Sequence, residues 1–106
     1  NKIAFLENQS LAQGMPVPVE ANEIHGLHLD VHLPALVQLI EQLNAGAADP
    51  VQSLPVLQAF YAHVGETVQA LAADPASQVQ VGEANQVLQF AEEMIKDGHG
   101  TTKSRT

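Results

Sequence analysis

The chain has no cysteine and no tryptophan. The missing thiol excludes disulfide scaffolds, thiolate metal sites and catalytic cysteines, and leaves the redox compartment open. Basic residues are nearly missing too. Lys2, Lys96, Lys103 and Arg105 are all there are, so no Lys or Arg stands between Ile3 and Ile95. Twelve acids face these four bases, for a net charge of -8, and every acid except Asp97 falls in that interval. Lys/Arg–carboxylate pairs therefore cannot hold the body together. Nor can the body grip phosphates, because nucleic-acid affinity is dominated by Lys and Arg. Aromatic residues are limited to Phe5, Phe60, Tyr61 and Phe90, so the core must be aliphatic. No run approaches the roughly 18 consecutive apolar residues that a membrane span needs, and no signal-peptide pattern opens the chain. The expectation is a soluble protein with no membrane partner. Its 106 residues suffice for one modest domain.

What is present reads as helix. The segment NKIAFLENQSLAQG is a short first helix, with Ile3, Phe5, Leu6 and Leu11 as its apolar side and Gly14 as its stop. In MPVPVEAN, Pro16 and Pro18 impose extended backbone and argue against a central strand. The second helix is expected from Asn22 or Glu23 to Leu43 or Asn44. Leu29, Leu33, Leu36, Leu39, Ile40 and Leu43 share one side of it at about 100° per residue. Pro34 cannot donate to the carbonyl of Asp30 and crowds it, which predicts a kink or a break there. Asp49-Pro50 and Ser53 both suit a helix start, and the third helix is read from about Leu54 to Ala73. The fourth is read from Pro75 to Asp97, insecure before Gly82 and stopped by Gly98. The fold class is therefore all-α: a short helix and three longer ones in antiparallel packing. The domain spans 1–97, and 98–106 is a flexible, disorder-prone tail.

The stretch EANEIHGLHLDVH places His25, His28 and His32 at positions i, i+3 and i+7. Three imidazoles and a water make a catalytic zinc set, and Glu20 or Glu23 offers an oxygen. One helix limits how far such residues converge, so a metal site usually recruits a second element. His63 lies off the main stripe of its helix. The blander reading buries each ring at the edge of the Leu29–Leu36–Leu43 stripe and satisfies its nitrogens with a carbonyl or carboxylate. That reading is preferred, with no metal and no cofactor expected. The serines lack a nucleophile-elbow context, Glu92-Glu93 reads as a solvated face, and no phosphate loop is present.

Taken with what precedes it, the histidine stretch brings a family into view. ENQSLAQGMPVPVEANEIHGLHLDVH resembles the C-terminal region of bacteriophage portal proteins, the head–tail connectors of tailed phages. The shared pattern is an acidic-Asn pair (Glu7, Asn8), a Gly ending a helix (Gly14), the Pro/Val segment Val17 to Val19, and the spaced His25, His28 and His32. FYAHVGETVQALAADP looks like the helix that follows in that family. The resemblance implies a structural protein and not an enzyme. It implies a homo-oligomeric ring, a dodecamer at the capsid's portal vertex, through which double-stranded DNA is packaged and ejected. Terminase and head-completion proteins would dock on it. The protein would be a virion component assembled in the host cytoplasm, and this chain would be the C-terminal piece of a larger one. An acidic body that does not grip DNA suits a passage in which DNA slides.

The alternative from the residues alone is a small acidic helical binding module, with a metal site at His25, His28 and His32. Leu27 and Val31 fall on the polar side of the second helix, and Val56 and Phe90 fall off the stripes of theirs. A contact with a second copy of the chain is expected, with Leu27, Val31 or Phe90 in it.

Overall fold

The computed structural model describes residues 2–21 and 23–99, with side chains through Lys96. The element order is α1 (Lys2–Leu11), α2 (His25–Asn44), α3 (Pro50–Leu71), a single 3₁₀ turn (Pro75–Ser77) and α4 (Gln78–His99). No strand occurs among the described residues, as expected of an all-α chain. α2, α3 and α4 pack on one another in a three-helix body, and α1 lies against α2 and α3.

The apolar stripes become the core. Leu29, Leu36 and Ile40 of α2 meet Leu57, Phe60, Val64, Val68 and Leu71 of α3, with Val81, Ala84 and Ala91 of α4 closing the third side. Val56 is partly buried and packs against this core, so its place off the stripe does not make it a free surface.

The boundaries are set by local chemistry. α3 begins at Pro50, not near Leu54: the Asp49 side chain accepts from the Val51 N–H at 2.9 Å, and Pro50 sits where a missing N–H costs nothing. Pro55 is carried inside that helix. The repeated Asp-Pro at residues 74–75 starts only a 3₁₀ turn, with Asp74 accepting from Ala76, before α4 takes over at Gln78. α2 starts at His25, behind Ile24, later than expected; Asn22 lies outside the described residues. It runs unbroken through Pro34 to Asn44, so Pro34 does not split it. α4 passes Gly98 and ends at His99. Gly98 and His99, expected in the tail, are thus helical, and 100–106 lie outside the described residues.

α1 corrects the sequence reading most. Its inward face is not Ile3, Phe5 and Leu6, which are all more than half exposed, but Ala4, Glu7, Asn8 and Leu11. Only Ala4 and Leu11 of these are apolar and buried. The helix ends in a Schellman arrangement. The Met15 N–H donates to the Ser10 carbonyl at 3.1 Å and the Gly14 N–H to that of Leu11 at 2.9 Å, with Gly14 at φ +78. A Cβ on Gly14 would stand 3.1 Å from the Pro55 Cβ, so space and backbone both demand glycine there.

Two glycine substitutions should therefore move stability in opposite directions. Gly14→Ala should lower it by about 1–2 kcal/mol, from left-handed backbone strain plus the Pro55 contact. Gly82→Ala, in mid-helix with nothing within 4 Å of the added carbon, should raise it by about 1 kcal/mol. Urea unfolding monitored by circular dichroism reads both.

Candidate functional site

The inward polar face of α1 meets the histidine face of α2 and the side of α3. Glu7 Oε1 lies 3.0 Å from His28 Nδ1, 3.0 Å from His32 Nε2 and 3.4 Å from His63 Nε2. The two Nε2 atoms of His32 and His63 are 3.2 Å apart, with their rings edge to face. His28, His32 and His63 are all at most 2% exposed. Two helices, α2 and α3, thus deliver three imidazoles to one carboxylate oxygen of α1.

The outer nitrogens are also held. His32 Nδ1 is 2.6 Å from Asn8 Oδ1, and the Asn8 amide donates from its other end to the Val31 carbonyl at 3.2 Å. That second bond fixes which end of the amide faces the ring, so His32 Nδ1–H donates to Asn8 Oδ1. His63 Nδ1 lies 2.7 Å from the Val17 carbonyl, to which it must donate. The Pro/Val connector is therefore a working part: its extended backbone presents Val17 O to α3. Thr67 Oγ1 caps the arrangement by donating to the His63 carbonyl at 3.0 Å.

A second carboxylate stands behind the first. Glu23 Oε1 accepts from the Glu20 N–H at 2.9 Å, while Oε2 is 3.2 Å from His28 Nδ1 and 3.7 Å from His25 Nδ1. Glu23 Oε2 and His25 Nδ1 are buried atoms without a hydrogen bond. On the far side, Gln80 of α4 donates to the Gly26 carbonyl and to Asp30 Oδ1, both at 3.0 Å, and pins the first turn of α2.

Glu7, His28 and His32 offer ligand atoms that all lie within 4.8 Å of one another, and His63 joins them through Glu7 and His32. The three histidines singled out in the sequence thus divide: His28 and His32 enter the cluster and His25 stays at its rim. Glu7 and Asn8 carry a signal only in the family resemblance, whereas Gly14 is also the stop of the first helix. The carboxylate at the centre is Glu7, with Glu23 outside it. His63 was discounted as off-stripe, yet it is a full member. Its spacing from Val64 and Val68 gives no hint of this, because the α1–connector segment creates a second buried face on α3.

Burial, first of all, and the neighbouring His63 and His28 push the His32 imidazole down from 6.5 to about 3. The cluster's ligand atoms are imidazole nitrogens and a carboxylate oxygen, so it can hold a proton or a cation. Comparison with family models, curated proteins and solved structures finds no match to this chain.

A depressed imidazole pKa makes the unfolded chain the better proton binder. Its contribution to stability is complete above about 6.5 and is lost as pH falls toward 3. The groups facing His32 are Glu7 from α1, His28 from its own helix and His63 from α3. Chelator-treated protein should accordingly lose thermal stability steadily between pH 6.5 and pH 4. His32→Gln should flatten that slope, whereas an equal slope in the variant would assign the loss to other groups. Asn8→Ala, which leaves the His32 Nδ1–H without its acceptor and removes the bond to the Val31 carbonyl, should cost about 1–3 kcal/mol in urea unfolding at pH 7.5.

Proposed function

We propose that this chain is a structural and assembly component of a bacteriophage portal ring, through which DNA is packaged and ejected. The observation that carries the reading is where the resemblance's residues fall. Glu7, Asn8, His28 and His32 meet in one buried cluster, Val17 supplies it with a carbonyl, and Gly14 makes the turn that delivers Val17. A pattern spread over 26 residues of sequence is thus one physical unit. The acidic body, with no Lys or Arg from Ile3 to Ile95, supports a passage that does not bind DNA. No helix among the described residues is long and apolar enough to cross a membrane.

In this reading the chain is a non-enzymatic part of a homo-oligomer of twelve subunits at the portal vertex of the virion. Terminase and head-completion proteins are its further partners. Leu27 and Phe90 are 49% and 61% exposed, which leaves them available to a neighbouring copy. Val31 is half-buried, and its carbonyl is already engaged by Asn8. A second reading, a small acidic helical binding module, is favoured by the donor set of the cluster itself.

Electron microscopy of the full-length parent protein tests the assembly reading. Closed rings are expected, and a parent that stays monomeric contradicts it. Phe90→Glu should leave the helical circular dichroism of this chain unchanged while reducing the fraction of the parent in rings. Normal assembly of that variant would remove Phe90 from the subunit contact.

A further inference from the structure

The hydrogen-bond accounting around Glu7 leaves the cluster short of positive charge. His32 Nδ1–H is committed to Asn8 Oδ1, and His63 Nδ1–H to the Val17 carbonyl. A neutral imidazole has one N–H, so both Nε2 atoms present lone pairs. Those lone pairs face each other at 3.2 Å, and both face the Glu7 carboxylate, at 3.0 and 3.4 Å. Three acceptors meet in a buried space, where such contacts are repulsive and unscreened. A proton on His63 Nε2 would serve the contacts of that ring. It would leave the contact between His32 Nε2 and Glu7 Oε1 as acceptor against acceptor. A cation bound by all of them serves every contact at once.

The geometry points to a divalent transition-metal site, of the zinc type, with Glu7, His28, His32 and His63 as ligands. Three further observations fit. Ligand atoms around a tetrahedral zinc with bonds near 2.0–2.1 Å are about 3.3 Å apart. Of the six separations in such a set, those from Glu7 to each histidine and from His32 to His63 run from 3.0 to 3.4 Å. His63 lies outside the group whose ligand atoms all fall within 4.8 Å of one another, so a bound ion would draw His63 and His28 together. The outer nitrogens of His32 and His63 donate to an amide oxygen and a backbone carbonyl, the arrangement that orients metal-ligating imidazoles. Beside the site, Glu23 Oε2 and His25 Nδ1 are buried without a hydrogen bond, and Glu23 Oε2 faces His28 Nδ1 at 3.2 Å. It stands against the same nitrogen as Glu7, so it is a second carboxylate within reach of an ion bound there. Imidazole nitrogens select zinc, cobalt or nickel over calcium or magnesium, which prefer all-oxygen shells.

The role of such an ion is structural. It would bolt α1, which buries only Ala4 and Leu11 as apolar anchors, to α2 and α3. This goes beyond the assembly reading and does not depend on it. Metal binding by the chain says nothing about rings, and rings say nothing about metal.

The test uses the full 106-residue chain after chelator treatment, at pH 7.5, with Zn²⁺ alone as titrant. Calorimetry should show one Zn²⁺ per chain. The melting temperature should rise with zinc and remain unmoved by equal Ca²⁺ or Mg²⁺. His32→Gln and His63→Gln should each weaken binding at least tenfold, and His25→Gln should leave it within threefold. Because ligand variants can lose the fold, Co²⁺ added to the unaltered chain gives a second readout. Intense visible d–d bands of a four-coordinate nitrogen/oxygen site are expected. Absence of a saturable zinc site in the folded chain overturns the inference. So do weak, six-coordinate Co²⁺ bands, or zinc affinity that survives His32→Gln and His63→Gln but is lost in His25→Gln.

Discussion

One carboxylate oxygen surrounded by three imidazoles is the point on which the placement of the first helix depends. Glu7 is the point where α1, α2 and α3 converge, and α1 has little else to hold it. Its apolar anchors are one alanine and one leucine, worth at most a few kcal/mol at about 25 cal/mol per Å² of buried apolar area. The remaining attachments are polar. Asn8 bridges the Val31 carbonyl and His32, and the connector gives Val17 O to His63. A buried polar network is stabilising only when each member is satisfied, and one unmatched charge turns it into a liability. The charge balance at Glu7 therefore decides how firmly α1 and the connector stay docked on the aliphatic core of α2, α3 and α4.

The same constraint explains the chain's odd composition. With no Lys or Arg between Ile3 and Ile95, histidine is the only side chain in the body that can compensate a buried acid. The body's most buried carboxylates, Glu7 and Glu23, are the ones set against histidines, whereas Asp49, Asp74 and Glu92 lie at exposed caps or faces. Lys96 pairs with Glu92 on the surface, where such a pair contributes little.

The three long helices were legible in the sequence because their leucine and valine stripes are long and regular. Their ends were less so. Asp49 and Asp74 were both recognisable as caps, but nothing in the sequence says that the first opens an α-helix at Pro50 and the second only a 3₁₀ turn. The first helix was misread for a physical reason. Ile3, Phe5 and Leu6 are the apolar choice for an inward face, yet the helix turns Glu7 and Asn8 inward because histidines wait there. Hydrophobic periodicity cannot see a face whose partner is polar. For the same reason periodicity places His63 off its helix's stripe, and Glu20 or Glu23, close in sequence to His25, stands as the expected oxygen ligand in place of Glu7. Neighbourhood in sequence favours the residue on the same element, whereas the site is built across elements.

The central claim is that His32 is a neutral ring with its proton on Nδ1 and a lone pair on Nε2 aimed at Glu7. Long-range ¹⁵N–¹H correlation spectra of the histidine rings measure this directly. In metal-free protein at pH 7.5, His32 should show a protonated Nδ1 and an unprotonated Nε2. One equivalent of Zn²⁺ should then move the Nε2 signals of His32 and His63 together to metal-bound values. A His32 proton on Nε2, or protons on both nitrogens at that pH, would contradict the account.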